Sequence, residues 1–164
     1  MRQVEFVPFR LTEVTEIFSI RIDGKRNTEL QEFLIGFKDV QNKDLRKDFE
    51  QILKSLAEIA DNGAKESFFR PEGKIIDRLC AIPIYTASRK TRQNGTLRLY
   101  CIRVSNDLLI VGGGGLKTTQ TYEENEVLAS HVMTLQRIDK ELSRLENQGM
   151  ELQKEIYNLI IHID

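Results

Sequence analysis

Two stretches in the first third of the chain repeat apolar residues with the period of an α-helix. The first begins at Thr28 and Gln31, which form a capping-box pattern, and its apolar positions are Leu30, Phe33, Leu34 and Phe37. The second ends at Gly63, where a C-terminal cap is expected, and its apolar positions are Leu45, Phe49, Ile52, Leu53, Leu56 and Ile59. Because the link between the two is short, the pattern predicts an antiparallel helical hairpin.

Strand-like segments lie on both sides of this hairpin. EVTEIFSIRID alternates in part and predicts a strand, or a pair of strands, before the first helix. After the second helix, branched apolar residues predict three strands, in KIIDRLCAIPIY, LRLYCIRVS and DLLIVGG. Ser105, Asn106 and Asp107 are turn residues and predict a hairpin between the last two. The pattern therefore predicts a sheet, with the basic loop TASRKTRQNGT beside it.

A long helical pattern follows Thr121 and Glu124, which form a second capping-box pattern. From Leu135 onward its apolar residues alternate between three and four positions apart, as in a coiled coil. Gly149 falls on this seam and predicts a break or bend. About forty helical residues would extend ~60 Å. We therefore expect residues 141–164, a heptad-like helical extension, to fold back or to pair with a second copy of the chain.

Four consecutive glycines, residues 112–115, stand between an apolar run and Lys117. A Walker-type phosphate loop requires a glycine directly before the lysine and a helix that starts there, whereas Leu116 precedes Lys117. The dinucleotide pattern fails as well, because no parallel unit with an acidic residue about twenty positions on accompanies it. Two interpretations stay open. The glycines allow a bulge or a close backbone approach, or they end a strand and deliver Lys117 to a cationic surface.

The composition narrows the class of protein without naming a function. With 164 residues, 40% of them hydrophobic, the chain can build a single domain. No stretch has the character of a signal peptide or a membrane span, so we expect a cytoplasmic protein. Cys80 and Cys101 lie in apolar strand-like runs and are expected to be buried, reduced thiols. His131 and His162 are far apart in helical patterns, which does not predict a metal site.

The charges are distributed unevenly along the chain, although the net charge is only -1. Residues 65–122 contain ten basic and four acidic residues, a net charge of +6. Residues 123–164 contain four basic and nine acidic residues, a net charge of -5. A local basic field attracts polyanions even when the whole molecule is nearly neutral, so the middle of the chain is the candidate for a nucleic-acid contact.

Three short motifs follow one another after the predicted hairpin. They are Leu97-Arg98-Leu99-Tyr100, Gly115-Leu116-Lys117-Thr118-Thr119-Gln120-Thr121 and Glu126-Val127-Leu128-Ala129. In this order they resemble the RelE/ParE/HigB superfamily of toxins from bacterial toxin-antitoxin modules. The resemblance covers roughly residues 28–140. It implies an α+β fold in which the helical hairpin packs on a small antiparallel sheet, within a domain of residues 1–140 that begins with a strand extension.

The resemblance also implies a chemistry, which is cleavage of messenger RNA without a metal ion or other cofactor. The ribose 2'-hydroxyl attacks the adjacent phosphate, and the reaction requires a base, cations near the phosphate and a donor to the leaving oxygen. By position, Arg98 would stabilise the phosphate and Lys117 would clamp it or donate a proton. Tyr122 would stack on a base or orient the reacting group. We expect these three side chains to converge on the solvent side of the sheet. The candidate RNA-binding residues are Arg78, Arg89, Lys90 and Arg92.

Structural roles for the same residues stay open. Arg98 can form a cross-strand pair, Tyr122 can be a packed aromatic residue, and the basic loop can serve only solubility. Because the chain is longer and closer to neutral than the toxins it resembles, two alternatives to a ribonuclease remain. They are a non-catalytic interaction module that dimerises through its C-terminal helix and a ParE-like inhibitor of a topoisomerase. The partners implied are an antitoxin protein, RNA or the ribosome, and a second copy of the chain, with no membrane.

Overall fold

The strands of the protein form a single mixed sheet. A computed structural model describes residues 1–71, 78–84, 95–118 and 125–164. The strands in those residues are β1 (Arg2–Leu11), β2 (Glu16–Ile22), β3 (Arg70–Pro71), β4 (Leu79–Ala81), β5 (Thr96–Ser105), β6 (Leu108–Lys117) and β7 (Ile160–Ile163). Their order across the sheet is β3-β4-β5-β6-β2-β1-β7. Neighbouring strands are antiparallel except β2 and β6, which run parallel.

The helices follow the strands in two groups. Within the described residues they are α1 (Glu29–Phe37), α2 (Lys43–Asn62), α3 (Glu126–Asn147) and the short α4 (Leu152–Glu155), with 3-10 turns at Glu66–Phe68 and Ile156–Asn158. The predicted capping box of Thr28 and Gln31 is present at the start of α1. Gly63 ends α2 with a φ of 99°, which glycine adopts without steric cost. The two predicted helices are therefore confirmed, and the rings of Phe33 and Phe49 stack between them.

Helices cover both faces of the sheet, and each face has its own apolar core. One core joins α1 and α2 to the sheet and includes Leu30, Phe33, Phe49, Ile52, Leu56, Leu97, Leu99 and Leu109. The other joins α3 to the opposite face and includes Phe18, Ile20, Tyr100, Ile102, Ile110, Leu128, Val132 and Leu135. The α+β class is confirmed. The prediction of a small antiparallel sheet is wrong, because β2 pairs parallel to β6, and β1 and β7 extend the sheet beyond β2.

The C-terminal segment differs from the predicted helical extension of residues 141–164. α3 ends at Asn147, and Gly149 has a φ of 100°, which confirms the break predicted there. The chain then folds back through α4 to β7, which pairs with β1. The apolar spacing predicted one long helix, but the same spacing also fits a short helix followed by a strand. Residues beyond 141 belong to the same core as the rest of the chain, through Leu142, Leu152, Ile156, Ile161 and Ile163.

The apolar stripe of α3 is used inside the chain. Its members Leu128, Val132, Leu135, Ile138 and Leu142 have no exposed surface. These residues suggested a partner helix in a second copy of the chain, and they pack on the sheet of their own chain instead. A dimer through this stripe would require α3 to leave the sheet.

Both cysteines are buried within the sheet. Cys80 and Cys101 are buried, reduced thiols, as the sequence predicted, and they lie opposite each other on β4 and β5. Burial raises the pKa of the Cys101 thiol well above its usual value, so this group stays protonated at neutral pH.

Among the helices in the described parts of the chain, none combines the length and the apolar character that a bilayer crossing requires.

Candidate functional site

The side chains of β5 alternate between the two cores, as the sequence predicted. Leu97, Leu99 and Cys101 belong to the core under α1 and α2. Tyr100 and Ile102 belong to the core under α3. Arg98, two positions before Tyr100, therefore lies on the α3 face, and its residue is only 7% exposed. The expectation that this face is open to solvent is wrong, because α3 covers it.

Lys117 lies on the same face as Arg98 and on the neighbouring strand. The register pairs Thr96 with Lys117 and Arg98 with Gly115. Arg98 and Lys117 are therefore diagonal neighbours, at a typical separation of about 7–8 Å between α-carbons. Lys117 is half-buried, at the end of β6. The sheet thus places the two predicted cations side by side. The third predicted residue, Tyr122, lies outside the described residues, as do Arg89, Lys90 and Arg92.

The glycine run lies inside β6 and allows α3 to approach the sheet. The register shifts between the pairs Leu99–Gly114 and Cys101–Val111, so that one residue of β5 faces Gly112 and Gly113 of β6. A Cβ at Gly112 would be 2.8 Å from Leu135 of α3, and one at Gly113 would overlap the imidazole of His131. The bulge and the close backbone approach, one of the two interpretations of this run, are therefore observed.

Two acidic residues of α3 form ion pairs with the Arg78 side chain. Its guanidinium lies 2.7 Å from Asp139 Oδ1 and 2.9 Å from Glu146 Oε1, and its backbone N–H donates to Asp139 Oδ2. Burial lowers the pKa of Arg78, but the two carboxylates outweigh it and hold the pKa above its usual value. Two negative charges from α3 compensate this cation and tie the helix to β4. This geometry gives Arg78 a role in packing, and its contact with RNA stays a prediction.

A second polar region lies where the parallel strands β2 and β6 separate. Their pairing ends at Ser19 and Val111, although both strands continue beyond these residues. The hydroxyl of Ser19 donates to the carbonyl of Val111 and accepts from the N–H of Leu30 in α1, which closes the base of the gap. Above it lies a cavity of about 240 Å³, here called the crevice. It is lined by Arg2, Ile20, Ile22, Asp23, Lys25, Glu29, Gly113, Ser130, His131, Thr134 and Leu135.

Glu29 and His131 face each other across the crevice. Their side chains are 15% and 25% exposed, and the Glu29 Oε2 to His131 Nδ1 distance is 3.9 Å, too long for a hydrogen bond. Burial lowers the pKa of His131, and the carboxylate of Glu29 opposes this effect in part. The imidazole is therefore mostly neutral at pH 7 and can both donate and accept a hydrogen bond.

Glu29 and His131 were not among the predicted site residues. The distance between His131 and His162 in the sequence argued against a metal site formed by both. His131 nevertheless lies between Leu128 and Leu135 on the helix face that packs against the sheet. A histidine at such a position, opposite a run of glycines, was the available signal. No sequence pattern links Glu29 to it, because their proximity depends on the long-range pairing of β2 with β6.

A wider cavity of about 710 Å³ lies at the other end of β2 and contains Glu13, Glu16, Asp107 and Tyr157. Glu16 accepts hydrogen bonds from Gln153 and from the hydroxyl of Tyr157. These contacts hold the C-terminal segment to β2, so Glu16, Gln153 and Tyr157 already have a structural function.

Within the described residues, no group of three or more histidine, cysteine or acidic side chains is arranged to hold a metal ion. Comparison with family profiles, with curated proteins and with solved structures gave no match. The candidate sites are therefore those that the chain's own geometry defines, which are the Arg98–Lys117 neighbourhood and the crevice.

Proposed function

We propose that this protein binds single-stranded RNA through the Arg98–Lys117 neighbourhood and acts as a toxin of a bacterial toxin-antitoxin module. The observation that carries the proposal is the register of β5 and β6, which makes an arginine and a lysine diagonal neighbours on one face of the sheet. Paired cations of this kind suit the phosphate of a nucleic-acid backbone. The net charge of +6 in residues 65–122 adds a long-range attraction for polyanions.

The order of the elements supports the same proposal. β2 is followed by α1 and α2, then by the antiparallel strands β4, β5 and β6, and then by α3. This is the order implied by the resemblance to the RelE/ParE/HigB toxins. The further described elements are β3 between α2 and β4, α4 after α3, and the strands β1 and β7, which extend the sheet beyond β2.

Arg98 is more deeply buried than Lys117, so we assign the two cations different roles. Lys117 is half-buried and reaches a phosphate first, whereas Arg98, 7% exposed, contributes its charge from behind it. In a ribonuclease, both charges would stabilise the negative charge that develops on the phosphate as the 2'-hydroxyl attacks. Metal-independent cleavage of messenger RNA is the activity we propose, with Lys117 as the residue that contacts the reacting phosphate.

Expression under tight induction tests this function. We expect induction to stop growth and to shorten messenger RNA, and Lys117→Ala to relieve both effects. Lys117 is preferred over Arg98 for this test, because loss of a buried arginine risks unfolding the chain. Lys154→Ala is the matched control, since Lys154 is exposed and pairs with the likewise exposed Glu151 three residues before it. Normal growth with intact messages would contradict the proposal. Growth arrest with intact messages would instead indicate action through a protein contact.

A further inference from the structure

The crevice lies at a topological switch point of the sheet, where the connections that follow two parallel strands go to opposite faces. β2 and β6 are parallel neighbours, and their following helices leave to opposite faces, α1 to one core and α3 to the other. Because the two connections diverge, the backbone leaves a gap beyond the carboxyl ends of the paired segments. Gaps of this kind are where sheets with parallel strands commonly bind nucleotides and related ligands.

Two polar groups that line the crevice, the Glu29 carboxylate and the His131 imidazole, are available to a ligand. Among the described residues, no group makes a hydrogen bond to the carboxylate of Glu29 or to the imidazole of His131, and the two are 3.9 Å apart. The carboxylate oxygens of Glu29 are not fully buried, so a ligand in the crevice can reach them. Glu29 can accept hydrogen bonds from a hydroxyl or an amine, and the neutral imidazole beside it can accept from or donate to the same ligand.

The opposite wall of the crevice carries the cations Arg2 and Lys25, together with the Asp23 carboxylate, which accepts a hydrogen bond from the backbone N–H of Gln3. Arg2 is held in place by hydrogen bonds from its guanidinium to the hydroxyl of Thr134 and to the backbone oxygen of Asp164. Lys25 follows the tight turn at Asp23 and Gly24, where both residues have positive φ, and its side chain is exposed at the rim. A simple anion would meet the repulsion of Glu29, and a simple cation would meet that of Arg2 and Lys25. The ligand therefore combines donor groups with an anionic group.

We propose that the crevice binds the ribose phosphate of a nucleotide. Glu29 accepts hydrogen bonds from the ribose hydroxyls, His131 makes a further hydrogen bond to the sugar, and Lys25 and Arg2 contact the phosphate. A carboxylate that receives a ribose diol at the carboxyl end of a strand is a recurring mode of nucleotide recognition. A cavity of about 240 Å³ accommodates a sugar phosphate, and the base extends through its opening.

This site is independent of the proposed RNA contact. Gly113, in the wall of the crevice, and Lys117 are four residues apart along β6, about 13 Å at the usual rise of a strand. Variants of the crevice leave Lys117 in place, and Lys117→Ala leaves Glu29 and His131 in place. Failure of one proposal therefore does not imply failure of the other.

Binding of small phosphates to the full chain, followed by calorimetry and by the NMR signals of the His131 ring, tests the site. We expect adenosine 5'-monophosphate and ribose 5-phosphate to bind and to shift these signals. We expect 2'-deoxyadenosine 5'-monophosphate and inorganic phosphate to bind at least tenfold more weakly. A 5'-phosphorylated RNA oligonucleotide that binds as well as the free nucleotide would identify an RNA end as the source of the ligand. Preference for the free nucleotide would identify a small-molecule site, and both results support the proposal.

Matched variants decide whether the crevice is responsible. Glu29→Gln should weaken binding at least tenfold, whereas Glu32→Gln, an equal change of charge on the exposed side of the same helical turn, should not. Lys25→Ala is the second variant, with the exposed Lys38→Ala as its control, because Lys25 lies at the surface and its loss does not threaten the fold. No binding at millimolar concentration, equal affinity for inorganic phosphate, or equal effects of the variants and their controls would overturn the proposal.

Discussion

Gly114 lies directly against the backbone of Arg98 across the β5–β6 pair. A Cβ at position 114 would overlap the carbonyl oxygen of Arg98 and would lie 2.8 Å from the Cα of Leu99. The next glycine differs, because a Cβ at Gly115 would make ordinary contacts of 3.5 and 3.7 Å with Leu128 and Val127. Neighbouring glycines of one run therefore serve different purposes, and only one of these two requires the absence of a side chain.

This difference predicts unequal effects of two alanine substitutions. Gly114→Ala should lower the free energy of unfolding by about 1–3 kcal/mol, because the backbone of β5 must shift to make room. Gly115→Ala should change it by less than about 0.5 kcal/mol. Unfolding in urea, measured by circular dichroism, gives both values. Equal losses for the two variants would contradict the packing of β5 against β6.

Local signals were sufficient for the elements that depend on neighbouring residues. Thr28 and Gln31 predicted the start of α1, Gly63 the end of α2, and the alternation in β5 placed Arg98 and Leu97 on opposite faces. The sheet order could not be predicted, because the parallel pairing of β2 with β6 joins distant parts of the chain. That pairing also assembles the crevice, so Glu29 and His131 carried no joint signal in the sequence.

The ion-pair network of Arg78 predicts a stability effect at Asp139. The Asp139 side chain is 6% exposed and receives hydrogen bonds from both the backbone and the guanidinium of Arg78. Asp139→Ala should lower the free energy of unfolding by about 1–3 kcal/mol, since it leaves a half-buried guanidinium with one partner fewer. Glu141→Ala on the same helix removes an exposed pair with Arg144 and should have little effect. Thermal denaturation of both variants measures the contrast, and similar midpoints would reject the network as a structural tie.

The environment of His131 predicts a pH dependence of stability. Burial lowers its pKa in the folded chain below the ordinary value near 6.5, so the unfolded chain binds a proton first as the pH falls. The stability associated with the neutral imidazole should therefore be lost as the pH decreases from about 6.5 toward the lower pKa of the folded state. The other charged groups that face the crevice, Arg2, Asp23, Lys25 and Glu29, are present in every variant compared.

His131→Gln should reduce the fall in unfolding free energy between pH 7 and pH 5 relative to the unchanged chain. The control is His162→Gln, because His162 lies on the exposed side of β7. Urea unfolding at several pH values measures the slopes. A slope that is unchanged in His131→Gln would show that this histidine is not held neutral by burial.

The return of the C-terminus into the sheet predicts opposite outcomes for adjacent isoleucines. Ile161 is 4% exposed in the core under α3, whereas Ile160 is 53% exposed. Ile161→Ala should lower the free energy of unfolding by about 2–4 kcal/mol, as expected for a large core residue. Ile160→Ala should have little effect. If both substitutions were silent, β7 would not be part of the folded core.

Salt dependence of RNA binding tests the central claim, that Lys117 contacts the phosphates of single-stranded RNA. The measurement is fluorescence anisotropy of a labelled RNA titrated with the full chain at several salt concentrations. One phosphate contact contributes about -0.7 to the slope of log K against log salt for a single strand. We predict that Lys117→Ala binds more weakly and has a slope shallower by about 0.7, while Lys154→Ala matches the unchanged protein. No binding at low salt, or identical slopes for Lys117→Ala and the unchanged chain, would contradict the account.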